Sequence, residues 1–147
     1  MRLAAGLIVA AVGVAGCGMV PGPVPDWVTN RQPLDLCGEE VLEQGEAQAH
    51  DEDARRCLFD AFEAGRGAEL ISAQRTFEGD FITSYVRVHE NGVVEVFVDS
   101  TSDRFGVWHR FVCTRLITVA EANEQQDTNL PDAMVFWEDG CEELPVP

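Results

Sequence analysis

The chain contains no lysine: its 10 basic residues are all arginine and stand against 26 Asp and Glu side chains, for a formal charge of -16. This shortage of positive charge excludes direct recognition of a phosphate backbone or an anionic lipid surface, because both need a basic footprint. The arginines are scattered singly, apart from Arg55-Arg56, and make no patch. Catalytic signatures are missing too. His50, His89 and His109 stand in no HExxH context, there is no GxSxG, and no glycine-rich phosphate loop follows a strand. Asp/Glu pairs at glycosidase distances carry no signal in so acidic a chain, since chance supplies many. There is no CxxC or HxxxH knuckle, which excludes a zinc site of ordinary spacing.

What is present suffices for one folded domain. The chain has 147 residues, 46% of them apolar and 24% charged, so it can bury a core and is not of the disordered kind. Its one long apolar run opens the chain: Met1-Arg2 gives a positive start, Leu3 to Val14 is built on Ala, Val, Leu and Ile, and Val14-Ala15-Gly16-Cys17 follows. Residues 1–16 therefore read as a secretory signal, and its end resembles the bacterial lipoprotein box, in which the cysteine is acylated and becomes the mature N-terminus. Acyl chains at Cys17, worth ~0.8 kcal/mol per buried methylene, would anchor the protein without a spanning helix. Leu3 to Val20 is only just long enough to be read as an uncleaved span. Gly6, Gly13, Gly16, Gly18 and the lone flanking Arg2 favour cleavage. Either way the rest of the chain lies on the extracytoplasmic side of the cell membrane.

With Cys17 lipidated, Cys37, Cys57, Cys113 and Cys141 remain, and an even number in an exported chain points to two disulfides. Three pairings are open; the sequential one, Cys37 with Cys57 and Cys113 with Cys141, keeps each bridge inside one local unit.

Residues 17–36, punctuated by Pro21, Pro23, Pro25 and Pro33, read as a flexible tether, with Trp27 free to dock back. Residues 37–147 read as a single α+β domain. Between Gly38 and Gly67 the pattern is helical: Asp51-Glu52-Asp53 opens the better segment, Ala54, Cys57, Leu58, Ala61 and Phe62 recur at spacings of three and four, and Gly65 or Gly67 stops it. From Glu69 the period switches to two. Glu69 to Phe77, Phe81 to His89, Val93 to Ser100 and Trp108 to Val119 read as strands of an antiparallel meander, Ala120 to Ala133 as a solvated loop, and Met134 to Trp137 as a short fifth strand. The fold class expected is thus one or two N-terminal helices packed on a four- to five-stranded antiparallel meander with two disulfides.

Hairpin register follows from pattern. A three-residue Glu90-Asn91-Gly92 loop sets Val88 opposite Val94 and Val86 opposite Val96, leaving Arg87-Glu95 and Tyr85-Phe97 pairs on the outer face and Gly92 in the left-handed position. Extended backward, this register gathers Glu78, Asp80, Asp99, Asp103 and Arg104 at one end of the sheet. That cluster is the candidate binding site. Asp99-x-Thr101-x-Asp103 has loop-ligand spacing for calcium, but Arg104 and Arg110 stand where an EF-hand needs glycine and glutamate. The plainer reading is turn residues bonding their own backbone, with Arg104 and Arg75 neutralising the carboxylates. Trp108, Phe111, Phe136 and Trp137 read as packing before they read as a stacking surface for a sugar or peptide.

These features resemble an uncharacterised family of small bacterial secreted and lipid-anchored proteins, described only as a domain of unknown function. The resemblance covers Ala54 to Cys141 and rests on Glu78-Gly79-Asp80 before an alternating hairpin, on Asp99 to Gly106, on Cys113, and on Gly140-Cys141. Phe81 stands where a proline commonly follows the EGD. The resemblance implies export and one fold unit and assigns no activity, cofactor or catalytic residue. The expected function is a non-enzymatic binding or interaction module at the cell envelope, with the membrane reached through the anchor and an envelope protein or small ligand as partner. The alternative is a calcium-type or hydrolytic domain using the acidic end of the sheet. No cofactor and no nucleic-acid partner is expected.

Overall fold

The computed structural model describes residues 23–44 and 49–146. The signal stretch 1–16 and Cys17 lie outside the described residues. In chain order the elements are α1 (Asp26–Thr29), β1 (Asp35–Leu42), α2 (Glu52–Glu63), β2 (Ala68–Arg75), β3 (Phe81–Val88), β4 (Val94–Asp99), β5 (Trp108–Cys113), β6 (Arg115–Thr118), α3 (Val119–Gln126), a 3-10 turn at Asp132–Met134, β7 (Phe136–Asp139) and β8 (Glu142–Leu144). The fold is α+β. A six-stranded sheet in the order β1-β2-β3-β4-β5-β8 carries a separate two-stranded sheet, β6-β7, and both expected disulfides, Cys37–Cys57 and Cys113–Cys141, are formed.

The central hairpin has the register its pattern predicts: Val88 faces Val94, Val86 faces Val96, and Gly92 takes φ +81°. Strands β2 and β5 extend the same alternation on either side. One face carries Ala68, Leu70, Val86, Val88, Val94 and Val96, and α2 lies on it. That helix is built as its sequence suggests. Asp51 caps it by accepting from the Ala54 N–H at 3.0 Å, and Ala54, Leu58 and Ala61 form the buried stripe. Leu58, Leu70, Val88, Val94 and Phe136 are all 0% exposed, each worth roughly 1.5–3 kcal/mol of burial as an upper estimate.

Three parts of the chain depart from expectation. First, the stretch after Gly38 opens in a strand: β1 pairs parallel to β2, and with α2 between them the three make a βαβ unit. A side chain at Gly38 would meet Ala54 Cβ at 2.7 Å, so this glycine lets α2 lie close on β1 beside the Cys37–Cys57 bridge. The helical reading failed here because Glu40 is buried under α2, which erases the alternation that marks a strand.

Second, the described part of the stretch read as a tether is docked. Val28 is 1% exposed and packs with Phe97 and Trp108, while Trp27 meets those two rings edge-on at 5.0 and 5.9 Å. Arg31 reaches Glu69 with two hydrogen bonds, at 2.8 and 3.0 Å. The folded unit therefore begins near Pro25, twelve positions ahead of the expected boundary at Cys37. This strap covers the second face of the sheet, where Arg87 is 2% exposed and joins Glu69 at 2.8 Å and Glu95 at 3.0 Å. Arg87 also donates to the Gln32 carbonyl, and Arg110 completes the row by pairing with Glu95 at 2.8 Å. Of the four arginine and glutamate pairings on this face, Arg31 with Glu69 ties the strap down, together with the Arg87 bond to the Gln32 carbonyl.

Third, β5 ends at Cys113 and the chain turns at Thr114, so Arg115–Thr118 leaves the meander and pairs with β7. The edge beside β5 is taken by β8. Residues 120–133, expected as a solvated loop, hold α3: Thr118 caps it by accepting from Glu121 N–H at 3.2 Å, and Ala122 is 0% exposed. Asn123 then ties the return by bonding the Leu130 N–H at 2.7 Å and its carbonyl at 3.1 Å.

Candidate functional site

The acidic residues singled out from the sequence do share one end of the sheet, where β2 turns into β3 and β4 into β5. They do not converge. Asp99 accepts from the Thr101 N–H at 2.9 Å and its hydroxyl at 2.6 Å, and Asp103 accepts from the Phe105 N–H at 3.0 Å. The Asp80 N–H donates to Thr76 Oγ1, and Glu78 is exposed. Arg75 pairs with Glu43 at 2.9 Å and Arg104 lies over the Phe105 ring, so neither bridges the expected carboxylates. Among the described residues no group of three His, Cys, Asp or Glu side chains stands close enough to hold a metal ion. The Asp99 and Asp103 carboxylates serve their own turns, which argues against the calcium-type alternative.

A concave site lies elsewhere, between the first face of the sheet and β7. It is an open cleft of about 360 Å³. Its sheet wall is Val86, Val96, Val98 and Phe111 with the Ser84 hydroxyl, and its other wall is Trp137 and Glu138 beside the Cys113–Cys141 bridge. The size falls at the low end of small-molecule pockets. Phe136 and Glu138 lie two apart on β7 and share its inward face, so a carboxyl is turned toward the core where the pattern calls for an apolar side chain.

The electrostatics around it are divided. Glu40, buried under α2, accepts from Arg55 at 2.6 and 3.0 Å, from Ser72 Oγ at 2.7 Å and from the Asp51 N–H at 2.9 Å. Burial works against its charge, but the Arg55 hydrogen bonds and charge, helped by Ser72 and Asp51, hold its carboxyl below the usual range. Glu138 has no such set of donors. Although the residue as a whole is half-buried, desolvation of its carboxyl, reinforced by the charge of Glu40, raises it above the usual range against its own backbone N–H and the pull of Arg55. In its protonated form a carboxyl can donate one hydrogen bond into the cleft as well as accept one. His50 sits on the far side of the same cluster, its Nδ1 buried without a hydrogen-bond partner at 3.8 Å from Glu40, and burial together with Arg55 favours its neutral form.

A carboxyl whose folded value is raised contributes stability that is complete below its unfolded value and is lost as pH rises through the folded one. Glu138→Gln should therefore melt higher than the native chain at pH 8, with the gap closing toward pH 4, where Glu138 is protonated in both states. Melting curves across that range test it; a gap that stays constant with pH would show that the carboxyl is not held neutral.

The sequence reading missed Ser84, Trp137 and Glu138 as a group. Trp137 and Phe111 were read as packing ahead of a stacking surface for a sugar or peptide, and packing is the role that Phe136 and Trp108 fill at 0% and 7% exposure. The chain matches no protein-family model, no curated protein and no solved structure.

Proposed function

We propose that this chain is a non-enzymatic binding module, exported and anchored at the cell envelope through a lipidated Cys17, and that its cleft takes a small apolar ligand bearing one hydrogen-bonding group. The observation that carries the reading is the make-up of the cleft: valine and aromatic walls converging on a single desolvated carboxyl, Glu138, with the Ser84 hydroxyl opposite. Few convergent polar groups in an apolar concavity are what a small-molecule site requires. The lipoprotein box and two disulfides in so small a chain support the location.

The test is titration of the full chain with N-phenyl-1-naphthylamine, an apolar fluorophore of suitable bulk. Saturable one-to-one binding is expected, weakened by about tenfold or more in Val98→Phe, since one or two misplaced methylenes in an apolar pocket cost that much. Equal binding by Val98→Phe with unchanged folding would sink the assignment of the cleft, and no saturable binding by the native chain would sink the function.

A further inference from the structure

We infer that the end of the sheet carrying Phe77 and Phe105 faces the bilayer, and that both rings rest in the headgroup layer of a zwitterionic membrane. This rests on the proposed lipidation of Cys17. Phe77 is 96% exposed and Phe105 83%, an unusual state for two phenylalanines in one small domain. They stand at the tips of the β2–β3 and β4–β5 turns, which the antiparallel pairing puts at the same end of the sheet. With β3 and β4 as neighbours between them, the two turns are only two strand spacings apart, about 10 Å.

The docked strap fixes where the anchor must emerge. Trp27 and Val28 pack on Trp108, the last β5 residue paired at that end, opposite Asp99. The chain then runs toward the other end, where Gln32 meets Arg87 and Leu34 lies against Gly67. So Pro25 enters the fold from the Phe77 and Phe105 end, with Val24 55% exposed beside it. From Pro25 back to Cys17 is eight residues, a reach of roughly 29 Å when fully extended. An anchor whose chain leaves from that end lies nearer to those two rings than to the Glu90-Asn91-Gly92 turn at the opposite end, and so presents the rings to the lipid surface. Glu78 and Asp80 on the Phe77 turn and Asp103 on the Phe105 turn are repelled by anionic headgroups, whereas phosphocholine leaves them unopposed.

The experiment uses the full lipidated chain in phosphatidylcholine vesicles whose acyl chains carry bromine, which quenches nearby tryptophan. Phe77→Trp, Phe105→Trp and, at the opposite turn, Glu90→Trp are compared with the parent, whose Trp27, Trp108 and Trp137 supply the background. All three positions are exposed, so the substitutions leave packing intact. Most of the added emission should be lost at positions 77 and 105 and little at 90. Equal quenching at all three, with the chain still floating with vesicles, would overturn the orientation while leaving the anchor standing. A native chain that fails to float, or a Cys17→Ser chain that floats equally well, would remove the anchor and the inference with it.

Discussion

Replacing Arg87 with methionine should cost the domain about 3 kcal/mol or somewhat more, the penalty for withdrawing one partner from a buried ion pair. Arg87 is 2% exposed and holds Glu69 and Glu95 on its two sides while donating to the Gln32 carbonyl of the strap. Both carboxylates keep a second arginine, Arg31 and Arg110 respectively, which places the cost at the lower end of the range for buried pairs. Against a typical total of about 5–15 kcal/mol, the loss would still dominate the unfolding curve. Arg56, whose pair with Glu52 is exposed on both sides, is the contrast: Arg56→Met should change stability by less than about 0.5 kcal/mol. Urea denaturation of the two variants separates buried from surface pairing directly.

The pH dependence of that loss has a definite sign. Glu69 is desolvated, yet Arg31 and Arg87 together hold its carboxyl below the usual range. A depressed carboxyl contributes stability that is present above its unfolded value and lost as pH falls through the folded one. Removing Arg87 takes away part of that contribution, so native and variant curves should converge as the solution becomes acidic. A deficit unchanged between pH 7 and pH 3 would mean that Arg87 acts through its packing over Phe97, 5.5 Å from the ring centroid, and not through its charge.

The difference between what was legible and what was not has one physical cause. Periodicity reports burial of apolar side chains, so Val86, Val88, Val94 and Val96 declared the hairpin and its register, and Ala54, Leu58 and Ala61 declared α2. Two of the elements that were missed, β1 and the strap, are held by buried charge. Glu40 faces inward from β1 because Arg55 and Ser72 receive it, and Arg31 and Arg87 dock the strap onto Glu69. Such residues read as surface in any one segment, and their partners lie 15 to 38 positions away. The cysteine pairing was open to reasoning because few cysteines leave few choices. The cleft was not, since Ser84, Val98, Trp137 and Glu138 come from three strands in two sheets and meet only once β6 leaves the meander.

Breaking the two disulfides should have the other large effect, and it should differ between them in kind. Each closed loop, spanning 20 residues for Cys37–Cys57 and 28 for Cys113–Cys141, is worth about 3 kcal/mol in the chain-entropy account. The loops do not overlap, so the losses should add to about 6 kcal/mol, enough to unfold a domain of ordinary stability. The first loop joins β1 to α2 and contributes no residue to the cleft lining. The second encloses β6, α3 and β7, and its Cys141 borders the cleft. Paired serine substitutions at Cys113 and Cys141 should therefore lower the urea midpoint and also abolish binding of the apolar fluorophore, whereas the pair at Cys37 and Cys57 should lower the midpoint alone. Loss of binding in both, measured well below either unfolding transition, would show that the cleft depends on the whole sheet and not on the β6–β7 unit. A reductant that left the native midpoint unmoved would mean that burial and ion pairs suffice for folding. The expected collapse would instead bind stability to an oxidising compartment, in keeping with the export proposed for the chain.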